Sequence, residues 1–320
     1  MGHVRLVTLA LLLLGATSLA HAQAWPSKPL RVIVPVTAGS ALDITARTVS
    51  DQLARQFGQT VVVENRTGAG GTTGATAVAK ADPDGYTILV HSSAITIHPS
   101  TFANLAYYTS RDFSGVMPII NVPLILVVSP NKYKSLAELV AAGKAKRGAM
   151  NYASVGYGAA AHLTSERLRL AAGFEAQHIP FRGAPEALTE VLAERVDFFY
   201  TPVLPALGML REGKLLALAT SSSTRAQALP DVPTTLEAGL PNSDFNFWIG
   251  MFVPVKTPRE VVDKLYQETR KAAAAANARE KFATLGGEPM DMTPVQFDAL
   301  VRKEQTMNAE LAKAAGIKPQ

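Results

Sequence analysis

The chain has 320 residues, 48% hydrophobic and 18% charged, with a formal net charge of +5 and no cysteine. Such a composition suits a folded protein of one large or two moderate domains, and it excludes disulfide staples and a lipid-modified cysteine. The basic residues are scattered without Lys/Arg runs, which argues against a nucleic-acid partner, while the mild positive balance is compatible with anionic ligands.

In chain order, residues 1–24 come first, with Arg5, an apolar run from Leu6 to Leu14 and small residues spaced A-x-A. This is the layout of a cleaved secretory signal peptide, with Ala22 or Ala24 next to the cut, and the apolar run is too short to span a bilayer. The expected mature chain is therefore exported to a bacterial periplasm with no membrane tether. "LRVIVPV" reads as a strand, followed by a loop and an amphipathic helix that stops at Gly58. "TVVVEN" is a second strand, Ala75–Lys80 a short helix, and "TILVHSS" a third strand. This βαβαβ rhythm predicts a largely parallel sheet covered by helices.

A second α/β unit comes next: strands "LILVVSP", "MNYAS", "AQHIP", "DFFYT" and "LLALAT" alternate with helices "SLAELVAAGKAK", "AAAHLTSERLRLAAG", "APEALTEVLAERV" and "PALGMLREGK". A Pro-rich connector leads to strand-like "FNFWIGMFVPV" and two helices, Pro258–Leu285 and Pro294–Ala315. The tail has too few strands for a sheet of its own, so it packs back on the first unit. The chain then crosses twice between lobes, near 122–128 and 216–222. The expected division is residues 25–123 plus 223–320 in one lobe and 124–222 in the other.

"VVVENRTGAGGTTGA" superficially resembles a dinucleotide-binding turn, but its glycines run G-x-G-G-x-x-G. The third is one place late, the loop follows the second strand, and the next strand ends without a carboxylate for a ribose. What survives is a glycine loop at a helix start, where backbone N–H groups favour an anion. A supporting role fits Gly70 and Gly71 better than ligand contact. "PVTAGSALD" and "YASVGYGAAAHL" repeat the device, all at C-terminal ends of strands, where open α/β sheets bind ligands. "YASVGYG" is half a nucleophile elbow around Ser154, with Tyr152 where the first glycine belongs, and His162 sits too close for that fold's triad order. Neither an H-E-x-x-H motif nor a Cys/His cluster is present, so no metal and no cofactor are expected.

Five phrases in order, "WPSKPLRVIVPVTAGSALDITAR", "VVVENRTGAGGTTGATAVAKADPDGYTIL", "HIPFRGAPEAL", "LREGKLLALA" and "ALPDVPTTLEAGLP", closely resemble the Bug family, the extracytoplasmic receptors of tripartite tricarboxylate transporters. The resemblance runs from Trp25 to the final "AAGIKP". It implies a two-lobed periplasmic binding protein of the type II-like α/β class, with mostly parallel sheets flanked by helices and two hinge crossings. The implied molecule is a non-catalytic monomer that closes on a small carboxylate and presents it to membrane permease subunits. It also implies ligand contacts from backbone donors and ordered water.

By position, the resemblance assigns ligand-binding roles to Val36, Thr37, Ala38, Gly39, Ser40 and Asp43, with Ser92 and Ser93. From the second lobe it assigns Ser154, Gly156, Tyr157, Gly158 and Ala159, then Arg182 and Gly183, and the strand end at Tyr200 and Thr201. Members commonly have Phe where Val36 stands, a Gly-Gly pair where Gly39-Ser40 stands, and Asp-Asn at Thr201-Pro202. Loss of that Asp argues for a carboxylate without an amino group, di- or tricarboxylic or, given Tyr157 and Tyr200, aromatic. Two other readings stand beside this one: a periplasmic hydrolase using Ser154, and a sensory receptor that passes its ligand signal to a signalling protein.

Overall fold

A computed structural model describes residues 25–146 and 148–319. The predicted signal peptide lies outside the described residues. In the first unit, β1 (Leu30–Val34) leads to helix α1 (Ala41–Phe57), β2 (Val61–Asn65), helix α2 (Thr72–Ala79) and β3 (Thr87–Ser92). Two one-turn helices, α3 (His98–Thr101) and α4 (Thr109–Asp112), precede the long strand β4 (Phe113–Asn121). Helix α1 begins where the Ser40 hydroxyl accepts from the Asp43 N–H and ends at Gly58, whose φ of 62° needs a glycine-like residue.

The second unit comprises β5 (Leu124–Val128), α5 (Leu136–Lys146), β6 (Met150–Ser154), α6 (Ala160–Ala172) and β7 (Ala176–Pro180). It continues through α7 (Ala184–Leu192), β8 (Phe198–Pro202), α8 (Val203–Arg211) and β9 (Leu216–Thr220). The chain then returns through β10 (Trp248–Pro254), α9 (Arg259–Ala274), α10 (Ala276–Thr284), the two-residue β11 (Glu288–Pro289) and α11 (Pro294–Ala314). The single helix expected over Pro258–Leu285 is broken at Ala275, which is extended with ψ 142°.

The sheets have orders β11-β4-β10-β3-β1-β2 and β7-β6-β8-β5-β9. Both are mixed. The βαβ segments supply the parallel pairs β1–β2, β1–β3, β6–β7 and β6–β8. The strands next to the crossings, β4, β5, β9 and β10, pair antiparallel. Strand β4 escaped the sequence reading because Gly115 and Pro118 interrupt its apolar run, and proline weakens any reading as an internal strand. The structure accommodates it with a register shift against β10 beside the Gly250–Pro118 pair. Gly115 and Gly250 are needed for another reason: a Cβ at either would stand 2.6 or 2.5 Å from the Phe297 ring of α11.

Each sheet has its own core. Leu30, Val32, Val34, Ile88, Met117 and Ile249 pack against Leu42, Val49 and Leu265 of the covering helices. In the second unit, Ile125, Val127, Tyr152 and Phe198 pack with Leu163, Leu168 and Val191. Helix α11 serves both. Its Phe297 and Val301 are buried with Trp248 and Phe252, whereas Leu311 and the following Ile317 join the second unit's core. No helix among the described residues is long and apolar enough to cross a membrane.

Candidate functional site

Strand register brings the sequence-predicted residues to two ends. Val34 pairs with Asn65 and Ile33 with Leu89, so Val36–Ser40 and Ser92–Ser93 emerge together from the C-terminal ends of β1 and β3. Ser154 pairs with Pro180, and Ala153 with Phe199, so Ser154, Arg182–Gly183 and Tyr200–Thr201 emerge together in the second unit. The two ends approach each other at two points. A Cβ on Gly70 would lie 3.9 Å from the Tyr157 carbonyl oxygen, and one on Gly158 would lie 2.7 Å from Thr101 Oγ1.

The first loop is organised by one buried carboxylate. Asp43, 2% exposed, accepts from the Gly39 N–H at 2.9 Å, from Asn65 Nδ2 at 2.8 Å and from Arg47 Nε at 3.0 Å. Asn65 Nδ2 also donates to the Val36 carbonyl at 3.0 Å, and Arg47 donates to Asn65 Oδ1 at 2.8 Å. Burial opposes this charge, but the Arg47, Gly39 and Asn65 hydrogen bonds outweigh it and hold the Asp43 carboxyl below the usual range. Asp43 thus has its oxygens engaged inside its own loop. Thr37, Ala38 and Gly39 are left exposed.

The glycine loop Gly68–Gly74 lies behind this one. A Cβ on Gly74 would come within 2.9 Å of Pro35 Cβ and of the Arg66 carbonyl, and one on Gly71 within 3.0 Å of His91 Nε2. Its glycines allow close packing against β1, β3 and the lobe boundary. Beneath it lie His91 and His98, edge to face with ring centroids 5.2 Å apart, with His98 Nδ1 2.5 Å from Tyr107 Oη. Burial pushes His91 down to about 4 and His98 well below its ordinary value.

The second loop is held by neutral groups. Ser154 is fully buried, and its Oγ donates to the Gly156 carbonyl at 2.9 Å and accepts from the Gly156 N–H at 3.1 Å. The same Oγ lies 2.6 Å from His178 Nε2, a hydrogen bond whose donor is set by the imidazole tautomer. His178 stacks on His162 with centroids 3.9 Å apart, and His162 Nδ1 accepts from the Gly158 N–H at 3.2 Å. Desolvation pushes His162 down to about 4; for His178, desolvation and then the His162 charge push it down to about 3. Below the stack, Tyr152 donates to Glu166 at 2.6 Å, and Glu166 is paired with Arg169. Tyr157 packs on His162 at 5.1 Å between centroids, and its hydroxyl donates to the Lys318 carbonyl at 2.6 Å.

Among the remaining predicted residues, Arg182 is exposed and its N–H donates to Glu186. Tyr200 and Thr201 are fully buried, and their hydroxyls, like that of Ser93, have no hydrogen-bond partner among the described residues. A buried hydroxyl left unpaired costs roughly 1–3 kcal/mol. Sequence reasoning missed His178, Glu166 and Lys318 as loop supports. It also missed Glu304 of α11, which accepts from Trp248 Nε1 at 2.9 Å between Thr96 and Arg167. No sequence-local motif could have found them. Among the described residues, no group of three or more His, Cys, Asp or Glu is arranged to hold a metal ion.

Comparison with known proteins agrees with this architecture. The family model of the tripartite tricarboxylate transporter family receptor matches residues 45–317. A UPF0065 protein of Bordetella pertussis is 34% identical over 99% of this chain and 98% of its own. The periplasmic binding protein BugD is 33% identical with a TM-score of 0.81, covering 92% of this chain and all (100%) of its own. Two proteins of Rhodopseudomonas palustris were solved with carboxylates. MatC, with malate, is 31% identical at a TM-score of 0.78, covering 90% of this chain and 99% of its own. Rpa4515, with adipate, is 27% identical at 0.81, covering 92% and 100%. The chain therefore belongs to the Bug family of tripartite tricarboxylate transporter receptors.

Proposed function

We propose that this protein is a periplasmic receptor that holds a small aliphatic carboxylate without an amino group between its two units. It then delivers that ligand, as a monomer, to the permease subunits of a tripartite tricarboxylate transporter. The observation that carries this reading is the set of unpartnered buried hydroxyls at Ser93 and Thr201, one at a strand end of each unit, beside exposed loop backbone at Thr37–Gly39. Each hydrogen bond to an ionised ligand contributes about 1.5–3 kcal/mol, so a few neutral donors from each side suffice for tight binding. Because the donors sit on separate units, only the closed arrangement engages both sets, and the ligand selects it.

Aliphatic ligands are favoured because both tyrosine rings already have protein neighbours. Tyr200 is fully buried, and Tyr157 is held between His162 and Lys318. The carboxylates bound by MatC and Rpa4515 point the same way. A thermal-shift panel tests the reading: malate, adipate or citrate should raise the melting temperature, and benzoate should not. Stabilisation by amino acids or sugars alone would overturn it. The neighbouring genes distinguish uptake from sensing, since uptake requires a large and a small membrane subunit.

The Ser154–His178 contact raises a hydrolase as a second reading. Burial opposes it: Ser154 is fully buried, with its Oγ bonded to the Gly156 carbonyl and N–H inside its own loop, so it is not presented to a substrate. Esterase turnover on p-nitrophenyl acetate that Ser154→Ala abolishes would reinstate it.

A further inference from the structure

Helix α11 spans the two units, and the residues after it touch the second loop. Its first half is fixed to the first unit. Asp298 accepts from the Gly115 N–H at 2.7 Å, and Phe297 packs edge to face on Trp248 with centroids 5.0 Å apart. Its last turns reach the second unit, where Leu311 is 8% exposed in the core. The helix stops at Gly316, whose φ is 69° and whose Cβ position is open, and the Ile317 N–H turns back to the Ala312 carbonyl at 2.9 Å. Ala315, Gly316 and Ile317 then form one wall of a cavity of about 570 Å³, whose other walls include Tyr152, His162, Arg169 and His178. The Lys318 carbonyl takes the Tyr157 hydroxyl.

We infer that Ala315–Lys318 is a detachable strap that positions the ligand loop Ser154–Ala159 from behind and ties its order to the hinge helix. The inference rests on the ligand lying between the two units. A 21-residue helix is about 30 Å long and stiff. It cannot keep both anchorages unchanged while the units rotate apart. The first anchorage is a cluster of buried aromatic rings; the second ends in a half-buried Ile317 and one hydroxyl bond, so the strap is where the contact gives way. Tyr157 is a positioning residue here: it stands between Gly156 (φ 129°) and Gly158 (φ 70°), and its hydroxyl is the loop's bond to the strap.

Hydrogen exchange without ligand tests this on three variants: the chain truncated after Gly316, Tyr157→Phe, and the two combined. Tyr157→Phe should speed exchange of the amides of residues 156–159 about 5-fold, and truncation about 20-fold, because Ile317 is lost as well. The combined variant should match the truncation alone, with helix α1 unchanged in all three. Titration with malate and adipate should show the same pattern in the dissociation rate. Unchanged exchange on truncation overturns the inference. So does a full additional effect of Tyr157→Phe in the truncated chain, which would send that hydroxyl elsewhere. A wild-type protein that binds no carboxylate would overturn the proposed function while the exchange result still decides on the strap.

Discussion

The two proposed ligand loops are held in place by different physics. Thr37–Asp43 and Ser154–Ala159 each carry a strand into a helix, and the second also approaches Thr101 of the other unit at Gly158. The first is fixed by a charge: Asp43 is tied to Gly39, Asn65 and Arg47. The second is fixed by neutral rings and a distant carbonyl: His162, His178 and Lys318. A loop held by a carboxylate tolerates mild acid, because its anchor stays ionised until the pH falls below the carboxylate range. A loop held by neutral imidazoles does not.

The largest expected effect separates them by pH. His162 has an ordinary value of 6.5 and is pushed down to about 4 in the folded protein. Its contribution is fully present above pH 6.5, is lost as the pH falls from 6.5 to about 4, and changes no further below that. The loss is on the order of 3 kcal/mol. Urea melts between pH 4 and 8 should show it, and His162→Gln should flatten that part of the curve. An equally steep curve in the variant would remove His162 as a cause. Asp43 has the same sign in a lower window: its carboxyl is held below the usual range, so its stabilisation is lost as the pH falls through the carboxylate range, beneath the histidine window.

Next in size is Asp43→Ala, which removes the shared acceptor of the Gly39 N–H, Asn65 and Arg47 and leaves Asn65 with the Val36 carbonyl and Arg47 with Asn65 Oδ1. Arg47 is half exposed and is partly rescued by water, so the cost is about 2–3 kcal/mol by denaturant melts. Ligand affinity should fall with it, because Gly39 loses its anchor. A cost under half a kcal/mol by this measure, roughly what an ordinary surface substitution gives, would show that the first loop stands without its charge.

The same change at both loops makes a closer comparison. Gly39→Ala meets nothing within 4 Å and adds only the left-handed strain of φ 80°, about 1 kcal/mol. Gly158→Ala has similar strain at φ 70°, but its Cβ would also press on Thr101 of the other unit. That clash exists only while the units are close. Calorimetric titration with malate should therefore show affinity about ten-fold weaker for Gly158→Ala than for Gly39→Ala, with much of the loss restored by adding Thr101→Ala. Equal effects at the two glycines would mean that the units do not close there.

These supports mark the limit of what the sequence disclosed. The loops themselves were legible, because glycine, a strand before and a helix after are signals within a few residues. The family resemblance ordered them into two units. His178 stands 24 residues from Ser154, and Lys318 stands 161 from Tyr157, so no spacing rule connects them. Asp43 was legible as polar and near the loop, but its partners Arg47 and Asn65 turn it inward, which only the register of β1 against β2 reveals. Strand β4 was hidden by Pro118, which tertiary pairing with β10 overrides.

The smallest effect concerns the hinge helix, where the sign of the pH dependence reverses. Glu304 lies between the units, facing Trp248 and Thr96 from one side and Arg167 from the other, with Lys303 beside it. Burial pushes it up to about 7, against the opposing pull of the Trp248 and Thr96 hydrogen bonds and the Arg167 charge. The folded protein thus holds a proton more tightly than the unfolded chain, and stability is lost as the pH rises from about 4.5 to 7. Glu304→Gln keeps an oxygen for the Trp248 N–H and removes the ionisation. The variant should match the wild type at pH 4.5 and exceed it by about 1 kcal/mol at pH 8 in urea melts, the figure being reduced for partial exposure and for the lost Arg167 attraction. A gain of the same size at both pH values would point to packing. A loss at pH 8 would mean that the Arg167 charge outweighs burial and that the carboxylate stays ionised as a latch between the units.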